Sequence, residues 1–253
     1  MNVIYQSMTV CIGAICDDGN AVVVASDKMV TFGQPINLQT EPDPKFKKIY
    51  ELTASSVALF SGSVPDGEEI ISNVKANIGG QRISIHNIAV KVKDEYSSLK
   101  NIRVEDTILK PLLKVDFNGF QQLITNSSSS QILTQILGII SQHNLQLDIL
   151  IAGSDDTGCH LWTVTHPGQL LCLDALGYAS IGSGGIHASI RLSLGHQSRV
   201  ANIINTFYNV NEAKKSSEIA PGVGRDTDMA LIKDDRITFF DQKFLDIYTG
   251  KDT

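Results

Sequence analysis

The sequence predicts an α+β fold, a four-layer αββα sandwich in which two antiparallel sheets stack and helices cover their outer faces. Short β-rich runs come in blocks joined by tight polar turns, and helical segments separate the blocks. No Pro-rich or Gly/Ser-rich linker divides the chain, and both strand blocks are needed to complete two sheets, so residues 9–253 read as one domain behind residues 1–8, which read as a removed leader or as a mis-assigned start with Met8 the initiator.

The first block opens with Val10 to Cys16, an Asp17-Asp18-Gly19-Asn20 turn, and Ala21 to Ser26. A hairpin turning on Asp18-Gly19 pairs Asp27 with Val10 and Lys28 with Thr9, which sets Asp27 on the face opposite Thr9 unless a bulge or strong twist intervenes. Strands follow at Lys48 to Leu52 and Ser56 to Phe60. Pro65 and Asp66 suit the first turn of a helix whose buried stripe is Ile70, Ile71, Val74 and Ile78. A second helix carries Ile85, Ile88, Val92, Tyr96 and Leu99 at helical spacing, with Lys91, Lys93, Asp94 and Glu95 as a solvated face.

Residues 104–125 read as helix interrupted at Pro111 and at Asn118-Gly119. After a polar break at Asn126 to Ser130, a helix runs from Gln131 to His143. Strands return at Leu147 to Ala152, His160 to Val164 and Leu170 to Leu173. After Ile181-Gly182-Ser183-Gly184-Gly185 a helical region broken at Gly195-His196 extends to Glu218. Two last strands, Met229 to Ile232 and Arg236 to Phe240, turn at Asp234-Asp235.

Composition narrows the function. With 42% apolar residues the chain can build a sizeable core, and a net charge of −6 disfavours nucleic acid as the main partner. No apolar run reaches membrane length, and Met1 to Met8 has neither a basic start nor a hydrophobic stretch, so no membrane association is expected. Cys11, Cys16, Cys159 and Cys172 are too sparse for a disulfide scaffold and fit a reducing, cytoplasmic setting. Cys11 and Cys16 alternate with small and apolar neighbours and read as core residues. The six histidines show no ligand spacing, so neither metal nor cofactor is expected. Gly182-Ser183-Gly184-Gly185 matches no phosphate loop or nucleophile elbow and by itself reads as a tight strand-to-helix turn.

Chemistry is left to Met8-Thr9. Removing the methionine would give Thr9 a hydroxyl and a free α-amine on one residue, nucleophile and base together, because an α-amine titrates near about 7.7–8.0. A nearby ammonium lowers such an amine further. Lys48, held by Asp27, is the natural pair for this, and the Gly62 N–H beyond a strand end suits a developing oxyanion. Each has a plainer reading: Thr9 as a strand residue, Asp27 and Lys48 as a structural ion pair, Gly62 as a packing turn, and Ser183 as a helix N-cap.

In order and spacing, Thr9 to Gly13, Ala25 to Thr31, Lys47 to Tyr50, Ser61 to Asp66, Asp148 to Gly158 and Ile181 to Gly184 resemble a proteasome β-type subunit, an N-terminal-nucleophile hydrolase, with the stretch 101–130 as added length, and Glu212 to Lys215, Gly222 to Gly224 and Thr227-Asp228 resemble a bacterial-type branch of such proteins. The resemblance implies Thr9 as nucleophile, Asp27 and Lys48 as its charged partners, Gly62 as oxyanion donor and Ser183 as the hydroxyl assisting the amine. Lys45 and Lys47 are rival registers for the lysine. Two departures stand out. The family's Asp-x-x-Ser after the last long helix is missing, leaving Glu218 or Asp228 as candidate substitutes, and Met8 stands where a propeptide usually has Gly.

The resemblance implies a threonine peptidase acting on peptides or unfolded proteins through an acyl-enzyme once Thr9 is exposed. It also implies a homo-oligomeric ring or spiral, and leaves an unfoldase partner unidentified. The alternatives are a non-catalytic structural subunit of a ring assembly, or a small-molecule amidase of the same nucleophile class.

Overall fold

The computed structural model describes residues 9–32, 38–40, 47–80, 83–126 and 131–240. The opening hairpin consists of β1 (Cys11–Cys16) and β2 (Ala21–Asp27), paired from Cys11 with Ser26 to Cys16 with Ala21, the expected register. Its turn closes through Asn20 N–H donating to Asp17 O at 3.0 Å, with Asp18 and Gly19 at positive φ. Both strands are buried along their whole length, because one face meets helices and the other meets a second sheet.

The chain continues through β3 (Val30–Phe32), β4 (Leu38–Thr40), β5 (Ile49–Thr53) and β6 (Ser56–Gly62) to helices α1 (Val64–Ile78) and α2 (Ile85–Val104). A π turn at Glu105–Leu109 leads to α3 (Lys110–Leu113), α4 (Phe117–Asn126) and α5 (Gln131–Gln142). Next come β7 (Leu147–Asp155), β8 (Gly158–Thr165), β9 (Gln169–Cys172) and β10 (Tyr178–Ile181), then α6 (Gly185–Leu194), α7 (Ile203–Ser217), β11 (Thr227–Lys233) and β12 (Arg236–Phe240). One sheet has the order β10-β1-β2-β11-β12, the other β5-β6-β7-β8-β9, and every pairing is antiparallel.

Three apolar clusters define the four layers. Val10, Ile12 and Val23 of the first sheet pack with Ala188, Leu192, Phe207 and Val210 of α6 and α7. Ile15, Val22 and Val24 meet Leu59, Leu150 and Leu161 between the sheets. On the far side Phe60, Ile149 and Ile151 pack with the expected stripes of α1 and α2. Cys11 and Cys16 are free, buried core residues; burial pushes the Cys11 thiol far up and the Cys16 thiol to about 11.

Three sequence readings need correction. The break in the added stretch falls at Lys114, which takes φ 59° just past Pro111, while Asn118-Gly119 lies inside α4. Asp116 accepts from Gly119 N–H at 2.7 Å and tethers that helix's start. β10, only four residues long, carried too short an alternation to stand out from its turns. The β3–β4 ribbon was likewise unforeseen.

Candidate active site

The β1–β2 ladder ends at Cys11 and Ser26, and Thr9 lies beyond it. No bulge intervenes, yet Thr9 Oγ1 donates a hydrogen bond to Asp27 Oδ1. The expectation that the hairpin register alone would keep these residues apart therefore fails. Thr9 leaves the ladder on its other side, where its carbonyl accepts from Gly184 N–H at 3.2 Å and from Ser183 Oγ at 3.3 Å. On β1 and β10, Cys11 pairs with Ile181 and Ile12 with Ser180, so Ser183 falls opposite Thr9 if the pairing is extended. The strand absent from the sequence reading is what brings Ser183 to Thr9.

Asp27 ends β2 and is sealed from solvent. Its Oδ1 accepts from Val10 N–H at 3.0 Å, and its Oδ2 accepts from Met29 N–H at 3.0 Å and Gly224 N–H at 3.1 Å. Three backbone donors spread over both oxygens fix the carboxylate's orientation. Lys48, just before β5 and 6% exposed, donates to Thr9 Oγ1 at 2.7 Å, to the two Asp27 oxygens at 3.2 and 3.3 Å, and to Met29 O. The Thr9 hydroxyl thus sits between an ammonium and a carboxylate. Of the rival lysines, Lys47 directs its Nζ over the Phe239 ring at 4.0 Å, and Lys45 lies outside the described residues.

Met8 precedes Thr9, so the Thr9 nitrogen is a peptide N–H here and marks where an exposed α-amine would stand. It donates to Ser183 Oγ at 3.3 Å. The same Oγ reaches Pro221 O at 3.3 Å, while the N-cap of α6 is Gly184, without a side-chain cap bond; Ser183 is therefore not the helix cap. Gly62 closes β6 at φ 114°, a conformation that favours glycine, and a Cβ there would stand 1.8 Å from Gln146 O. Its backbone has no hydrogen bond to Thr9 among the described residues. Its neighbour Ser61 comes close to Gly182, where an added Cβ would lie 3.2 Å from Ser61 Cβ and 2.3 Å from Thr9 O.

Neither candidate substitute for the missing Asp-x-x-Ser reaches Thr9 in the described contacts. Glu218 pairs with Lys214 at 2.8 Å, and Asp228 with Lys28 at 3.1 Å. The loop after α7 contributes backbone instead: the Pro221 carbonyl toward Ser183 and the Gly224 N–H toward Asp27. Lys214, fully buried on α7, anchors that loop by donating to Glu218 Oε1 at 2.8 Å and to Arg225 O. Burial lowers the Lys214 pKa against the opposing pull of Glu218. The sequence reading missed Lys214, Pro221 and Gly224; a lysine at a buried position of the last helix was the available signal.

Beside Ser183 a cleft of about 480 Å³ is lined by Gly182, Ser183, Asp148, His166, His187 and the 219–221 loop, among others. The described residues include no cluster suited to a metal ion and no helix long and apolar enough to cross a membrane.

Residues 7–102 match the family model for the proteasome subunit. The matched span holds Thr9, Asp27, Lys48 and Gly62 and ends well before Ser183. No curated protein matches the chain.

Proposed function

From a chain that fits a proteasome β-subunit-like N-terminal-nucleophile hydrolase in its family match and its two-sheet α+β fold, we propose an N-terminal threonine peptidase that cleaves amides through an acyl-enzyme on Thr9. The observation that carries this reading is the buried Thr9 hydroxyl held between the Lys48 ammonium and the Asp27 carboxylate.

With residues 1–8 removed, Thr9 Oγ1 attacks the substrate carbonyl carbon and its proton passes to the Thr9 α-amine. Lys48 favours the anionic oxygen by its charge and, at the same time, opposes protonation of the amine. The Gly62 N–H holds the tetrahedral oxyanion. Collapse breaks the carbon–nitrogen bond, and the leaving nitrogen takes the proton from the amine. Water then attacks the Thr9 ester, giving its proton to the amine, and the released acid leaves the hydroxyl restored. Ser183, within reach of the Thr9 nitrogen, orients that amine.

Assembly into a ring belongs to the same reading. Ile186, Ile190 and Leu194 of α6 and Ile204 and Tyr208 of α7 are each about half exposed or more, an apolar stripe of the kind that a subunit neighbour covers.

Mass spectrometry of the purified protein tests the first step, for which a mature chain beginning at Thr9 is expected. A chain that keeps Met8 and still cleaves peptides would refute the amine as base. Thr9→Ala is expected to abolish turnover of a peptide or ester probe and to prevent labelling by an electrophilic amide-site reagent.

A further inference from the structure

The cleft beside Ser183 is lined by one carboxylate, Asp148, that no described residue satisfies. Along β7, Leu147, Ile149 and Ile151 face α1 and α2, whereas Leu150 and Ala152 join the inter-sheet core. Strand alternation therefore turns Asp148 toward the inter-sheet side, where it lines the cleft. Its carboxylate makes no hydrogen bond or ion pair among the described residues. Directly across the β6–β7 ladder stands Ser61, 1% exposed, whose Oγ has no hydrogen-bond partner among the described residues. Facing residues on paired strands bring their Cβ atoms within about 4.5–5.5 Å, so the two groups form one polar spot. Ser61 in turn packs near Gly182 and the Thr9 carbonyl. A partly buried carboxylate without a partner among the described residues is a costly arrangement that a cationic ligand would relieve.

The side of the cleft follows from the proposed reaction, on which this inference rests. The α-amine of Thr9 must hand its proton to the leaving nitrogen, so the leaving half of the substrate lies toward the Thr9 nitrogen. That nitrogen faces Ser183, which lines the cleft. Among the described residues, Asp148 is the only carboxylate that lines the cleft, and no lysine or arginine lines it. Burial and the Lys100 charge lower His166, another lining residue, so it does not supply a positive charge near neutral pH. The volume is within the range of small-ligand sites. We propose that this cleft binds a lysine or arginine side chain on the leaving side of the scissile amide, with Asp148 as its counter-ion.

Internally quenched peptides that differ only in the first residue after the scissile bond test the proposal on the mature full-length protein. Lys and Arg are expected to give kcat/KM about tenfold or more above Leu and Glu. Asp148→Asn should remove that preference, and Asp148→Lys should shift it toward Glu. Calorimetric titration with lysinamide, leucinamide and glutamic acid amide asks the same question without turnover, and tighter binding of lysinamide is expected. Equal rates or equal binding across the series in the wild type overturn the proposal without any variant, as does a basic preference that survives Asp148→Asn. Electrophile labelling separates the two layers: an unlabelled Thr9 with selective lysinamide binding refutes the peptidase reading, while a labelled Thr9 without the preference refutes the pocket.

Discussion

The Lys48 ammonium stands 3.2 Å from the Asp27 carboxylate, with the two side chains 7% and 0% exposed, and the Thr9 hydroxyl bonds to both. Removing one member of such a pair leaves a buried charge without compensation. Asp27→Ala and Lys48→Ala should each cost about 3–5 kcal/mol of stability in urea unfolding and eliminate peptide cleavage. The double variant Asp27→Leu/Lys48→Met should recover much of that stability and none of the activity. Were it as unstable as the single variants, the pair would contribute more than charge compensation.

The loop after α7 reaches Asp27 through a single N–H, that of Gly224. Gly224→Pro deletes the donor. A hydrogen bond to a charged group is worth about 1.5–3 kcal/mol, so the melting temperature should fall by about 3–12 °C, and kcat should fall about tenfold or more as the carboxylate loses its orientation. Lys214→Met, which unhooks Glu218 and Arg225 from the helix, should lower kcat in the same direction, and Lys214→Arg should restore part of it. Activity unchanged in both Gly224→Pro and Lys214→Met would remove the loop from the mechanism.

Burial alone raises the Asp148 pKa. Its folded-state pKa therefore lies above its unfolded one, and the native state holds this proton more tightly. Stability from this group is present at low pH and lost as pH rises above about 4 through the folded value. Asp148→Asn keeps the shape without the ionisation, so it should raise the melting temperature at pH 7, by about 2–4 °C for each kcal/mol recovered, and leave it unchanged at low pH. A destabilised variant at pH 7 would show that the carboxylate has a partner in solution.

The stripe formed by Ile186, Ile190, Leu194, Ile204 and Tyr208 predicts self-association. Ile190→Glu places a charge in its middle and should shift the protein to smaller species in sedimentation or light scattering, with the fold retained by circular dichroism. An unchanged mass would move the subunit contact elsewhere.

Gly182 sits against the Thr9 carbonyl at φ 89°, so Gly182→Ala should displace Thr9. Peptide cleavage should drop steeply, with a loss of stability on the order of 1–3 kcal/mol. Cleavage at the wild-type rate would mean that the Thr9 backbone tolerates movement.

Much of this architecture was legible because strong local signals agreed with it. Asp18-Gly19 sets a hairpin register that the structure keeps, and the stripes of α1 and α2 point inward as spaced. Thr9, Asp27 and Lys48 could be named from chemistry, since each is a polar group beside a strand end. Residue patterns alone did not show how distant parts of the chain meet; Ser183 and the partnership of Thr9 with Asp27 came from the family resemblance. Ser183 meets Thr9 through β10, a strand too short to declare itself, and the Thr9–Asp27 contact arises where Thr9 has left its ladder, which no alternation pattern encodes. Pro221 and Gly224 act through backbone groups that every residue or nearly every residue has, so side-chain identity could not single them out.

Val104 at the end of α2 packs with Ile108 and Leu109 of the π turn, Phe120 of α4 and Leu133 and Ile136 of α5, separately from the three clusters that hold the layers together. An annex with its own small core can open without disturbing the sandwich. Amide hydrogens of α4 and α5 should therefore exchange at far lower denaturant than those of β1, β2 and β7. Helices α4 and α5 then become the part that loosens first while Thr9 and its charged partners stay locked.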